Sequence, residues 1–144
     1  MRFVGSEYDP DARGIDAEWK VWNSLKNAFG SNDTGVAYYK YPIVDKSGGR
    51  FDQEPDFVLF HQDLGLIIIE CKGFQLDHID HIDGYYWRLQ NVSYHTATPS
   101  EQARSQGFHL RSFFDREPEL MDENQRNVVT LNWFVALPNI TREE

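Results

Sequence analysis

Apolar positions recur along the chain with two different periods, and the switches between them divide it into elements. Ile15, Glu18, Trp22, Leu25 and Phe29 step by threes and fours, Trp19 and Val21 flank the same stripe, and Gly30 suits a C-terminal stop, so the spacing predicts a helix. Glu18 falls inside that stripe, where the pattern asks for a core residue. Beyond the turn residues Ser31 to Gly35, the run Val36 to Val44 is rich in Val, Tyr and Ile and reads as a strand ending near Pro42. A polar loop, Asp45 to Gln53, follows. Two short apolar runs, Phe57 to His61 and Leu66 to Cys71, are separated by Gln62, Asp63, Leu64 and Gly65, as in a hairpin. The second run is apolar on both faces, as expected of a central strand covered on both sides.

Phe74 to Val92 alternates irregularly around Asp83 and Gly84 and reads as a second hairpin, an excursion from the main sheet. Thr98, Pro99 and Glu101 then mark a helix start: an N-cap, a proline suited to the first turn and the acid of a capping box. Ala103, Gly107, Leu110 and Phe114 give this helix a narrow buried stripe. After the acidic loop Asp115 to Arg126, the run Val128 to Leu137 predicts a last strand, stopped by Pro138. The predicted order is helix, three strands, inserted hairpin, helix, strand.

Size and charge narrow the picture. A chain of 144 residues that is 40% hydrophobic and 15% aromatic can bury the core of one domain, residues 1–144, and not of two. It carries 23 Asp and Glu against 14 Lys and Arg, a formal charge of -9. Lys and Arg drive phosphate binding by releasing counterions, so so acidic a domain should bind nucleic acid weakly unless its basic residues cluster. Bound divalent cations would offset part of that repulsion. The single cysteine, Cys71, excludes an internal disulfide and fits a reducing compartment. Met1 to Asp9 lacks the apolar centre of a secretory signal, and Leu66 to Ile69 is far too short to span a bilayer. The expectation is a soluble, cytoplasmic protein without a membrane partner. No Gly-Lys-Ser/Thr phosphate loop is present, so nucleotide hydrolysis is not expected of this domain.

The hairpin brings chemistry together. An antiparallel pair turned about Asp63 places Asp56 opposite Glu70, and Glu70 and Lys72, two apart on one strand, share a face. A slip of one residue would put Cys71 there instead. Two carboxylates can hold a hard cation such as Mg²⁺, which activates water and stabilises charge on a phosphate, while an ammonium nearby orients the nucleophile or neutralises developing charge. Taken singly, each of the three residues also fits an ordinary place: acids at strand ends and a solvated lysine in an ion pair.

The segment from Glu54-Pro55-Asp56 through Glu70-Cys71-Lys72-Gly73 resembles the signature of the PD-(D/E)xK nuclease superfamily, and more narrowly the nuclease-related domain, NERD. A helix with a misplaced Glu precedes it and a helix carrying Gln102 follows it, so the likeness spans about Ile15 to Pro138. It implies an α/β, restriction-endonuclease-like core: a mixed β-sheet flanked by helices, with an inserted hairpin. It further implies a Mg²⁺- or Mn²⁺-dependent nuclease acting on nucleic acid, DNA foremost, in which Asp56, Glu70 and the Cys71 carbonyl ligate the metal, Glu18 completes the site and Lys72 is the catalytic lysine. Gln102 matches the polar residue of the second helix. A Val or similar residue is more usual at position 71, a departure that a backbone ligand tolerates. Domains of this kind are often joined to helicase or kinase-like domains, so the chain is expected to be the N-terminal part of a longer protein, with a helicase fused or associated. Many relatives in the superfamily act as dimers, and a homodimer is compatible with the resemblance. The competing function is a catalytically silent nuclease-like module that binds nucleic acid or a partner such as a helicase, which the acidic charge favours.

Other residues weigh differently. Glu18 also fits a helix whose stripe skips it in favour of Trp19, and Gln102 also fits solvent in the first helical turn. Arg104 and Arg111, on the second helix, are the candidates for phosphate contact, against solvated surface. Tyr85, Tyr86 and Trp87 could stack on bases, although a hairpin should pack at least one ring inward. The tract Asp77 to Asp83 contains two His and three Asp, yet strand alternation splits them between faces and leaves a polar hairpin rather than a second metal site. Cys71, in an apolar strand without marked His and acid partners, is no nucleophile.

Overall fold

Five strands form a mixed sheet in the computed structural model, which describes residues 1–5, 15–41, 54–84, 86–90 and 97–141. The predicted strand end at Pro42, the loop of residues 45–53, and Tyr85 lie outside the described residues. The order along the chain is β1 (Arg2–Val4), α1 (Ile15–Ala28), β2 (Gly35–Tyr39), β3 (Phe57–His61), β4 (Gly65–Cys71), β5 (Ile79–Asp83), β6 (Tyr86–Leu89), α2 (Pro99–Phe114) and β7 (Leu131–Ala136). Strands lie in the order β1-β2-β3-β4-β7, with β5 and β6 paired as a separate hairpin. This is an α/β fold, a mixed sheet with two helices, consistent with a restriction-endonuclease-like core.

Three differences from the sequence reading have simple causes. Strand β1 is too short, at three residues, to give a period, and it is held by parallel pairing to β2, which sequence pattern does not reveal. Strand β4 is the interior strand, buried on both faces, that was expected, but its second neighbour is β7, whose parallel pairing from far along the chain no local pattern reveals. The last strand begins at Leu131, since Asn127 accepts the Val129 amide with its side chain and holds the backbone away from the ladder.

The alternation of the hairpin sorts its side chains between two cores. Phe57, Leu59, Ile67 and Cys71 join Ala17 and Trp22 of α1 with Ala37 and Tyr39 of β2. The Trp22 and Phe57 rings stack at 5.9 Å. Val58, Leu66 and Ile68 face Ala103 and Leu110 of α2 on the other side. Gly107 permits that approach: a Cβ there would stand 3.0 Å from Leu131 Cδ1 and 3.4 Å from Ile68 Cγ1. The N-terminus of α2 carries the predicted capping box between Thr98 and Glu101. Among the described residues, no helix is long and apolar enough to cross a membrane.

Candidate active site

The β3–β4 register is the expected one. Phe57 pairs with Ile69 and His61 with Gly65, so one further step sets Asp56 opposite Glu70 at the end of the hairpin away from its turn. The ladder of β3 stops there, and the Asp56 carboxylate takes over by accepting the Cys71 amide at 2.7 Å. Glu70 continues the Leu66 and Ile68 row toward α2 and is only 6% exposed. A buried carboxylate needs partners. Glu70 Oε1 accepts from Lys72 Nζ at 2.6 Å, and Oε2 accepts from Gln106 Nε2 at 3.3 Å.

Glu18 approaches from α1 on the other side of the sheet, 13% exposed at its side chain. The Tyr39 hydroxyl donates to Glu18 Oε2 at 2.5 Å, and Lys40 Nζ lies 3.1 Å from the same oxygen. Burial, and then the hydrogen bond to Glu18, push the Tyr39 phenol well above its ordinary value, so it stays a donor.

Asp56 lies among these acids, and among the described residues the cluster's two lysines pair with Glu70 and Glu18 instead. Burial and the Glu70 charge push its carboxyl up to about 7, against the lowering effect of the Cys71 amide; Glu18 adds to the rise and Lys72 subtracts. Burial, followed by the negative charges of Asp56, Glu18 and Glu70, pushes the Cys71 thiol up to about 12, so a thiolate nucleophile is disfavoured.

The other predicted residues lie further out. Gln102 turns its amide to the Ala97 carbonyl at 3.1 Å, and it is Gln106, one turn later, that reaches Glu70. Gln106 was legible as a polar residue inside the buried stripe of Ala103, Gly107 and Leu110, the same signal that singled out Glu18. Lys40 and Tyr39 gave no such signal, because only the pairing of β2 with β3 brings them to the site. Arg104 is exposed on α2, its guanidinium 5.2 Å from the Phe108 ring centre, and Arg111 lies 3.8 Å from Asp115. On the hairpin, Trp87 packs near Phe74 and donates to Ser100 Oγ at 3.0 Å, tying β6 to the first turn of α2, while Tyr86 is 79% exposed. The His and Asp residues of β5 are all exposed.

Among the described residues, no group of three or more His, Cys, Asp or Glu is gathered in ligating geometry. Lysines hold the Glu70 and Glu18 oxygens instead. The donor set nevertheless suits a hard divalent cation, which takes one or two carboxylates and keeps several waters. Gln106 Oε1 is buried without a hydrogen-bond partner beside this cluster, a further oxygen donor with nothing yet to bind.

Comparison with family models matches residues 13–132 to NERD, the nuclease-related domain, over most of the chain. No curated protein and no solved structure gives a match.

Proposed function

We propose that the chain, which belongs to the nuclease-related domain family, hydrolyses phosphodiester bonds, with DNA as substrate, at a Mg²⁺ or Mn²⁺ centre built on Asp56 and Glu70. The observation that carries this reading is the meeting of Asp56, Glu70 and Lys72 at one end of a hairpin, inside the span of the family match. Asp56, Glu70 and the Cys71 carbonyl would hold the cation, with Glu18 completing the set from α1. A divalent ion bound there supplies Lewis acidity and counter-charge for the phosphate.

The chain's own groups do the rest. Lys72, 27% exposed at its side chain, is close enough to Glu70 to be held by it and open enough to meet a phosphate or an attacking water. Gln106 fixes the second Glu70 oxygen, and Tyr39 fixes Glu18, so both acids are oriented before substrate arrives. The raised proton affinity of Asp56 fits an acid that awaits a cation, since a divalent charge would displace its proton.

The test is cleavage of a DNA substrate in Mg²⁺ or Mn²⁺ by the unaltered chain and by Asp56→Ala and Lys72→Ala proteins that remain folded. Cleavage by the unaltered chain that falls at least about 100-fold in both variants supports the reading, a loss on the scale of removing a positioned charge from a transition state. Equal cleavage by the variants, or none by any protein, overturns it.

A further inference from the structure

We propose that Lys40 is a phosphate-binding residue of this centre and that, with the tyrosine-lined recess beside it, it receives the nucleotide next to the scissile phosphate. The inference rests on the phosphodiesterase reading above and adds a subsite to it. Two lysines touch acids of the cluster, Lys72 on Glu70 and Lys40 on Glu18. Lys40 is the more open of the two, with 43% of its side chain exposed, so its ammonium is available to a ligand from solvent.

The backbone holds it there under strain. Lys40 has φ 52°, in the left-handed region that a lysine rarely adopts. Its amide donates to the Asp56 carbonyl at 2.8 Å, fixing this turn to the same strand end that carries Asp56. Glycine or asparagine would meet the backbone requirement with less strain, so the lysine side chain is what the position adds.

The recess supplies the second half of the subsite. It is an open recess of about 550 Å³ lined by Tyr38, Tyr39, Tyr41, Lys40 and the acid Glu54, with Val4 and Gly5 from the end of β1 and the residue that follows it. The Tyr38 and Tyr41 rings meet edge to face at 5.0 Å. Aromatic walls beside a cation are the combination that takes a base or sugar and its phosphate together. In a molecule of net charge -9, such a contact must be local to be effective. Were Glu18 to ligate a divalent cation, the Lys40 ammonium, now 3.1 Å from Glu18 Oε2, would be released to a phosphate oxygen.

The experiment measures binding of a labelled, phosphorothioate-linked single strand of roughly 12 nucleotides, which keeps the backbone charge and resists hydrolysis, in Mg²⁺ over a salt series. The unaltered chain is compared with Lys40→Gln, Lys40→Arg and Lys40→Gly, the last relaxing the left-handed backbone so that a folded variant without the charge is secured. Binding should weaken several-fold in Lys40→Gln and Lys40→Gly, and the slope of log affinity against log salt should fall by about 0.7, the value for one phosphate contact on a single strand, while Lys40→Arg keeps it. An unchanged slope in the folded Gln and Gly variants overturns the subsite and leaves the phosphodiesterase reading standing. Absence of binding by the unaltered chain overturns the subsite too, and the separate cleavage assay decides whether the wider reading falls with it.

Discussion

Asp56 shows most clearly what the cluster costs in isolation. Its carboxyl sits near 7 rather than 3.8, because burial and then Glu70 disfavour its charge. An acid whose folded value exceeds its unfolded value binds more protons folded than unfolded, so this group's contribution to stability is lost as pH rises from about 4 towards 7. Asp56→Asn, which is neutral throughout, should therefore flatten the fall of melting temperature across that range in metal-free protein and melt higher than the unaltered chain at pH 7.5. Parallel pH profiles of the two proteins in thermal melts would contradict this. Added Mg²⁺ should raise the melting temperature of the unaltered chain more than that of the variant.

At the scale of elements, the site depends on how closely α2 approaches the sheet. Gly107 packs against Ile68 and Leu131, and the neighbouring Gln106 reaches Glu70 Oε2 at 3.3 Å from the same turn. Gly107→Val should lower stability by about 1–3 kcal/mol through overpacking, and it should lower cleavage beyond what the melt explains by drawing Gln106 off Glu70. Denaturant unfolding and activity measured on one preparation separate the two effects. These relations also mark what the sequence could reveal. Local signals were sufficient for α1, the β3–β4 hairpin and the capped start of α2, and the hairpin register alone set Asp56 against Glu70. Non-local pairings were hidden: β1 beside β2, β7 beside β4, and through β2 the arrival of Tyr39 and Lys40 at Glu18. Gln106 lay between these cases, visible as a polar residue in an apolar stripe but masked by the better-placed Gln102 of the family likeness.

Across the whole molecule, acidic charge and the proposed action on a phosphodiester stand in tension. The net charge of -9 repels a nucleic-acid backbone at long range, whereas the candidate centre gathers Lys40 and Lys72 around three acids at one end of the hairpin. A divalent ion among those acids would offset their charge and so favour the approach of a phosphate. The direct measurement is anomalous diffraction from crystals of the chain soaked in Mn²⁺. The result expected is a peak within ligating distance of the Asp56 and Glu70 carboxylates, with Lys72 drawn off Glu70 Oε1; Mn²⁺ bound only elsewhere, with the Lys72–Glu70 pair intact, would contradict it.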